Sequence, residues 1–215
     1  MLRQLVKVTD AYPLTETDIA LITTASSLHD IGKIRIPEEI LNKPGRLPDE
    51  EFKIMKTHSE LGAAIIKDMD FPQDHPLVHT AWEICRWHHE RWDGKGYPDG
   101  LKGEEIPISA QVVSIVNVYD ALTSERCYKK AFDHDTAIQM ILDGQCGQFN
   151  PMPILCASSG VVSPTAKDCI KCRPKCVPRS PAASRVHANS ISAVSSPQPK
   201  EDASSFPSVF SGFKI

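Results

Sequence analysis

The sequence lacks the long apolar runs that membrane-spanning helices require. None of its runs approaches about eighteen apolar residues, so we expect no membrane span. The first ten residues also lack the order of charged, apolar and small residues that marks a secretory signal peptide. The chain is therefore predicted to be cytoplasmic, with its seven cysteines reduced.

An excess of positive charge is also missing. The chain has 24 Lys and Arg against 27 Asp and Glu, a net charge of −3, which argues against a basic nucleic-acid binder and predicts no DNA partner. Strict alternation of apolar and polar residues is absent as well, so we expect no sheet. With 41% apolar and 24% charged residues, the composition is that of a soluble globular protein.

The charge is divided unevenly along the chain. Residues 1–156 hold 16 Lys and Arg against 24 Asp and Glu, a net of −8, whereas residues 157–215 hold 8 against 3, a net of +5. The second stretch also has 13 Ser and 7 Pro in 59 residues. Such a composition buries too little apolar surface to offset chain entropy. We therefore predict a folded domain over residues 1–150 and a disordered tail over residues 151–215.

Apolar residues recur at helical spacing in five segments of this domain. Thr15 and Asp18 resemble a capping box before the first helix, and Ser109 is a plausible N-cap for the fourth. The second helix is expected from about residue 49 to 68, and the third from about residue 76 to 90. A loop rich in glycine and proline follows over residues 91–107, and the fifth helix follows His134.

Polar residues interrupt or end the apolar stripes of the first three helices. They are His29, Asp30, His58, His88 and His89. A single buried histidine is usually a hydrogen-bonded core residue, but several together would each cost about 1–3 kcal/mol if unpaired. A divalent metal would remove that cost, and imidazoles combined with a carboxylate suit manganese or iron. The pattern therefore predicts a metal site.

The order of short motifs resembles that of a known family. The motifs are His29-Asp30-Ile31-Gly32-Lys33, Lys43-Pro44-Gly45, His58, His88-His89, Gly96-Tyr97-Pro98 and Asp120-Ala121-Leu122-Thr123-Ser124. This set resembles the HD-GYP family of cyclic-di-GMP phosphodiesterases over about residues 1–150. The resemblance implies an all-α HD-domain helical bundle, two or three divalent metals (often iron or manganese), and hydrolysis of cyclic di-GMP to pGpG or GMP in bacterial second-messenger signalling. It also implies a receiver or sensor domain, as in a two-component response regulator, within a longer parent protein.

The resemblance also implies residue roles. Asp30 would bridge two metals, and Asp30 and Lys33 would be catalytic. The implied metal ligands are His29, Asp30, His58, His88 and His89, and the implied substrate contacts are Lys33, Tyr97, Arg126 and Lys129. Two of these roles have simpler alternatives, because Arg126 and Lys129 would also suit a solvated helix end and Tyr97 would also suit a tight turn.

Three departures from the family pattern shape the expectation for this chain. A family histidine that binds metal lies about thirty residues before the HD pair, so the domain is expected to be truncated at its N-terminus. A closing helix after Asn150 is expected to be missing. Asn117 occupies the position of an aspartate ligand. Two hypotheses follow: an impaired phosphodiesterase with about one tightly bound metal, or a degenerate, non-hydrolysing module that binds the nucleotide or a signalling partner.

Overall fold

The computed structural model describes residues 1–125 and 130–158, with side chains described up to residue 154. Within these ranges the secondary structure is helical, with one isolated bridge between Asp93 and Lys102, which confirms the predicted all-α class. No helix in the described part is long and apolar enough to cross a membrane. The helices are α1 (Leu2–Val8), α2 (Glu16–Ser26), α3 (Glu38–Leu41), α4 (Asp49–Lys56), α5 (His58–Asp68), α6 (Pro76–Trp87), α7 (Ile108–Thr123), α8 (His134–Leu142) and α9 (Pro151–Ser158), with 3-10 segments at Ile31–Arg35 and Gly103–Glu105.

The centre of the bundle is formed by α2, α5, α6 and α7. Ile22 and Ala25 of α2, Ile66 of α5 and Ile84 of α6 are buried together. The 3-10 segment after α2 lies directly against α5. The two segments are so close that a β-carbon on Gly32 would overlap the carbonyl oxygen of His58. Gly32 thus allows the segment after α2 to contact the start of α5, and Gly62 of α5 lies close to Cys85 of α6.

The helix boundaries confirm some sequence predictions and correct others. The capping box is present, since Thr15 Oγ1 accepts a hydrogen bond from Asp18 N and Thr15 N donates to the Asp18 carboxylate. The second predicted helix is two helices that meet at Thr57. The predicted N-cap at Ser109 is wrong, because α7 begins at Ile108 and Ser109 Oγ instead donates to Glu83 Oε2 at 2.9 Å.

Helical structure continues past residue 150, the predicted end of the folded domain. Pro151–Ser158 form α9, where we expected no closing helix. Ile154 is 4% exposed and packs in a cluster with Ile115 and Leu122 of α7. Prolines are tolerated in the first turn of a helix, so Pro151 and Pro153 are compatible with its start. Residues 159–215 lie outside the described residues, so disorder there stays a prediction.

Candidate metal centre

The buried histidines are oriented by hydrogen bonds to main-chain carbonyls. His58, the first residue of α5, places Nδ1 2.7 Å from Met55 O. His88, which caps the C-terminus of α6, places Nδ1 2.8 Å from Ile84 O. Because a carbonyl oxygen only accepts, each Nδ1 carries the hydrogen and each Nε2 presents its lone pair. This is the arrangement that metal-binding histidines usually show.

Three imidazoles and one carboxylate converge at this point. The ligand atoms of Asp30, His58, His88 and His89 all lie within 4.8 Å of one another. His58 Nε2 is 3.1 Å from His89 Nε2 and 3.4 Å from His88 Nε2. Nitrogens that bind one tetrahedral metal at 2.0–2.1 Å stand about 3.3 Å apart, so the spacing suits a single ion.

The carboxylate oxygen that faces the histidines is incompletely satisfied. Asp30 Oδ1 is buried without a hydrogen-bond partner, and it lies 3.4 Å from His58 Nε2 and 3.9 Å from His88 Nε2. Buried polar atoms in proteins almost always have a partner. An orphaned anionic oxygen among imidazole lone pairs is what a cation would satisfy, so these four residues fit a divalent metal.

Burial sets the protonation of the cluster. It lowers the pKa of His58, lowers that of His88 to about 3, and lowers that of His89 well below its ordinary value. For Asp30, burial alone would raise the pKa, but the His29 hydrogen bond and the positive charge of Lys33 outweigh it and hold the pKa well below its usual range. The site therefore offers neutral imidazoles and an ionised carboxylate, the forms that bind metals.

The second oxygen of Asp30 faces different partners. Lys33 Nζ lies 2.7 Å and His29 Nε2 3.3 Å from Asp30 Oδ2. His29 Nδ1 is 2.8 Å from Ser26 O, so this imidazole also directs Nε2 toward the carboxylate. His29, Asp30 and Lys33 line a cavity of about 1030 Å³ between α1, α2 and α7. A molecule of nucleotide size would fit such a volume.

Asn117 lies in the wall of that cavity and not in the histidine cluster. Its side chain is half-buried on α7, and within the described residues it forms no hydrogen bond or ion pair. Asp120, one turn further along α7, lines the same cavity and is exposed. The four clustered candidate ligands do not include His29 or Asn117, although the family resemblance implied His29 as a ligand and Asn117 as the occupant of a ligand position.

Tyr97 packs on the outer side of the cluster. Its ring stacks on His89 with centroids 4.7 Å apart and planes 22° apart. The loop that carries it is fastened to the end of α6, since Glu90 Oε1 accepts from Asp99 N and Gly100 N at 2.8 and 3.0 Å. The Asp99 carboxylate accepts two hydrogen bonds from Arg86 and one from Trp87, each 2.7 Å long. The loop thus fixes Tyr97 against a candidate ligand.

Sequence reasoning missed Glu90, which is 2% exposed and anchors this loop. Its place directly after His88 and His89, at the end of an apolar stripe, was the available signal. Arg126 and Lys129, the other implied substrate contacts, lie outside the described residues. Lys33 and Tyr97 are placed beside the cluster, one at Asp30 and one at His89.

Comparison with known proteins assigns the chain that carries this cluster to a family. The chain matches the HD domain family over residues 3–151. The chain belongs to the HD domain family. The histidine-aspartate pair that names the family is His29-Asp30, and its aspartate is the carboxylate of the buried cluster.

Curated relatives confirm the predicted resemblance to HD-GYP phosphodiesterases. The HD domain is 42% identical over 72% of this chain to the "Probable cyclic di-GMP phosphodiesterase" of Vibrio cholerae. It is 39% identical over 64% of this chain to the "Cyclic di-GMP phosphodiesterase response regulator RpfG" of Xanthomonas campestris. It is also 39% identical over 65% of this chain to the "3'3'-cGAMP-specific phosphodiesterase 2" of Vibrio cholerae. The alignments span only 36%, 35% and 26% of these three relatives.

Proposed function

We propose that this chain is a metal-dependent phosphodiesterase domain of the HD-GYP type that hydrolyses cyclic di-GMP to pGpG or GMP, with impaired turnover. The observation that carries this proposal is the buried cluster of Asp30, His58, His88 and His89, with one carboxylate oxygen unpartnered. The names of the relatives support the substrate class. Since they include enzymes for cyclic di-GMP and for 3'3'-cGAMP, a cyclic dinucleotide is the shared chemistry.

The cluster would hold the metal through three Nε2 atoms and Asp30 Oδ1. Bound there, a divalent ion supplies a Lewis acid for a phosphoryl oxygen and lowers the pKa of a coordinated water. Imidazole ligands with a carboxylate suit iron or manganese, which we propose as the metals used. The main-chain bonds of His58 and His88 keep their Nε2 atoms directed at the site throughout.

Lys33 is the residue best placed to act on the substrate phosphate. Its ammonium lies 2.7 Å from Asp30 Oδ2 and borders the cavity. An ammonium there can bind a non-bridging phosphate oxygen and offset charge that develops in the transition state. We propose that Tyr97 contributes by packing on His89 and by offering its hydroxyl to the substrate, and that Arg126 and Lys129 supply further phosphate contacts.

We propose that turnover is impaired because the second metal is weakly held. Its protein ligands would be His29 Nε2, Asp30 Oδ2 and Asn117, all at the edge of the cavity. The amide of Asn117 offers only a neutral carbonyl oxygen where a carboxylate would bring a charge. We expect about one tightly bound metal per chain, and a two-metal clamp on the phosphate would then form only partly.

The alternative is a non-hydrolysing module that binds the nucleotide or a signalling partner. Asn117 is the observation that favours it, since this residue weakens the second metal while the phosphate-binding residue Lys33 is kept. The response-regulator name of one relative supports a receiver domain as a partner in a longer parent protein. The first hypothesis requires both nucleotide binding and hydrolysis, whereas the second requires binding of the nucleotide or of a partner and no hydrolysis.

Metal stoichiometry combined with a hydrolysis assay tests the proposal. The purified chain, reconstituted with manganese or with iron under reducing conditions, is analysed for metal content, and its reaction with cyclic di-GMP is followed by chromatography of pGpG and GMP. We expect about one metal per chain and slow release of pGpG. Binding of cyclic di-GMP without release of pGpG would support the non-hydrolysing module. Absence of both metal and nucleotide binding would overturn the phosphodiesterase and the nucleotide-binding form of the module together.

A further inference from the structure

Lys56, the last residue of α4, holds its ammonium against aromatic rings. Lys56 Nζ lies 4.9 Å from the centroid of Phe52, one turn earlier on α4, and 5.2 Å from the centroid of Tyr97. The side chain is half-buried, and within the described residues it forms no hydrogen bond or ion pair. These two ring contacts link α4 to the loop that follows α6.

The contacts hold the cation in place without neutralising it. An aromatic ring attracts an ammonium through its quadrupole but carries no net charge. Two lysines on or near the same helix are instead paired with carboxylates, Lys43 with Glu51 and Lys53 with Glu50, both at 2.7 Å. In a domain with a net negative charge, Lys56 therefore keeps a full positive charge for an anion to meet.

This charge stands next to the proposed metal centre. The Tyr97 ring that Lys56 covers stacks on His89, and His89 Nε2 is 3.1 Å from His58 Nε2. Lys33 approaches the same centre through Asp30. The Lys33 ammonium thus lies at the carboxylate of the cluster. The Lys56 ammonium lies against Tyr97, whose ring in turn stacks on His89 of the cluster.

We infer that Lys56 binds the non-reacting phosphodiester of the cyclic dinucleotide. A cyclic dinucleotide carries two phosphodiesters in one macrocycle, and when one lies at the metal the other still needs a counter-charge. Lys56 is positioned by two rings and lacks a carboxylate partner within the described residues, so it can supply that charge without first breaking an ion pair. This inference rests on the proposed function, and it makes Lys56 a residue that distinguishes a dinucleotide from a mononucleotide.

Calorimetric titration of the metal-loaded full chain tests this assignment. Cyclic di-GMP and GMP are titrated into wild type, Lys56→Met and Lys56→Arg. Two control variants remove comparable charges: Lys67→Met, whose ammonium lies 5.0 Å from the Trp82 centroid, and Lys53→Met, which is ion-paired with Glu50. Metal content, measured on every variant, confirms that the centre is intact.

We expect Lys56→Met to weaken cyclic di-GMP binding about tenfold, the loss of one phosphate contact, and to leave GMP binding unchanged within about twofold. Lys56→Arg should retain most of the affinity, and both controls should match wild type. Equal binding of cyclic di-GMP by wild type and Lys56→Met would overturn the inference and leave the proposed function standing. An equal loss for GMP would overturn the assignment to the second phosphodiester. A wild type that binds no cyclic di-GMP would overturn the proposed function, and this inference with it.

Should Lys56→Met lose metal, Lys56→Gln replaces it, because its polar side chain suits a half-buried position. The comparison between the two nucleotides then stays the same. Unchanged cyclic di-GMP affinity in Lys56→Gln would overturn the inference in the same way.

Discussion

The two oxygens of Asp30 face two very different environments. Oδ1 faces three histidines that are 0–2% exposed and oriented by the main chain or by a stacked tyrosine. Oδ2 faces His29 and Lys33, whose side chains are 25% and 26% exposed, at a cavity that Asn117 also lines. The first side has three candidate histidine ligands, whereas the second combines a histidine, an ammonium and a neutral amide.

Under the proposed function, this difference would give one carboxylate a firm metal site on its Oδ1 side and a weak one on its Oδ2 side. Burial favours the neutral form of the histidines on the Oδ1 side and removes water from Oδ1. A cation bound there would stabilise both the carboxylate charge and the lone pairs of the imidazoles. On the Oδ2 side the charge of the carboxylate is already offset by Lys33. A second metal there would have to compete with that ammonium, and it would gain no charge from Asn117.

The largest expected effect comes from removing a ligand on the buried side. His58→Ala takes away an Nε2 that lies within 3.4 Å of His88 Nε2, His89 Nε2 and Asp30 Oδ1. We expect metal content to fall from about one ion per chain to near zero by mass spectrometry of the purified protein. His75→Ala is the matched control, since His75 caps α6 at its exposed start. Equal metal loss in both variants would refute the assignment of the buried side.

A second large effect is expected where the Tyr97 loop touches the buried side. Ala at Gly96 would place a β-carbon against the main chain of Glu90 and Arg91, which cannot move aside as a flexible side chain could. We expect Gly96→Ala to cost about 3 kcal/mol of unfolding free energy in urea and to weaken metal retention. Gly45→Ala is the control, because Gly45 has a φ of 84° but open space around it, so only about 1 kcal/mol of strain is expected. A cost no greater than the control would mean that the loop does not support the buried side.

A smaller effect is expected from adding a carboxylate on the Oδ2 side of Asp30. Asn117→Asp adds a charged oxygen in the wall shared with His29 and Lys33. We expect metal content to rise above one ion per chain when excess manganese is supplied, with faster release of pGpG. Gln145→Glu converts an exposed amide outside this cavity wall to a carboxylate, so it adds the same charge and should change neither quantity. Two tightly bound metals in the unmodified chain would remove the distinction between the two sides.

The smallest effect concerns the ion pair that fastens the Tyr97 loop. The hydrogen bonds from Arg86 lower the pKa of Asp99. The stability they contribute is therefore present above the unfolded pKa of about 4 and is lost as the pH falls through the folded pKa. We expect Asp99→Asn to cost at most about 1 kcal/mol at pH 7, because the pair is about a third exposed. Urea unfolding of metal-free protein at about pH 7 and pH 3 checks this, and a difference between variant and wild type that does not shrink at the lower pH would contradict it.

The histidine cluster could be predicted from the sequence because each member lies on an apolar stripe or at its end. His58 lies about one helical turn from Met55 and from Gly62, on the apolar stripe of the predicted second helix. Burying a polar side chain at such a position without a hydrogen-bond partner costs free energy of folding. The capping box at Thr15 was equally readable, since both of its bonds are local. These features depend on residues close together in the chain.

The features that could not be predicted depend on contacts between distant segments. Lys56 meets Tyr97 only because the loop after α6 folds back over α4. The short helices α1 and α9 contact each other, and seven or eight residues are too few for a helix to be stable without such packing. The different surroundings of the two Asp30 oxygens follow from the packing of α2, α5, α6 and α7 against one another. The apolar pattern of a single helix does not predict that packing.

The bonds from histidine Nδ1 atoms to main-chain carbonyls have a consequence for how the centre is loaded. Met55 O, Ile84 O and Ser26 O select one tautomer and one ring orientation at His58, His88 and His29 before any ion is bound. The imidazoles therefore lose little conformational entropy when they coordinate a metal. A metal bound at such a preformed site would exchange by entry and exit of the ion itself, without unfolding and refolding of the helices around it.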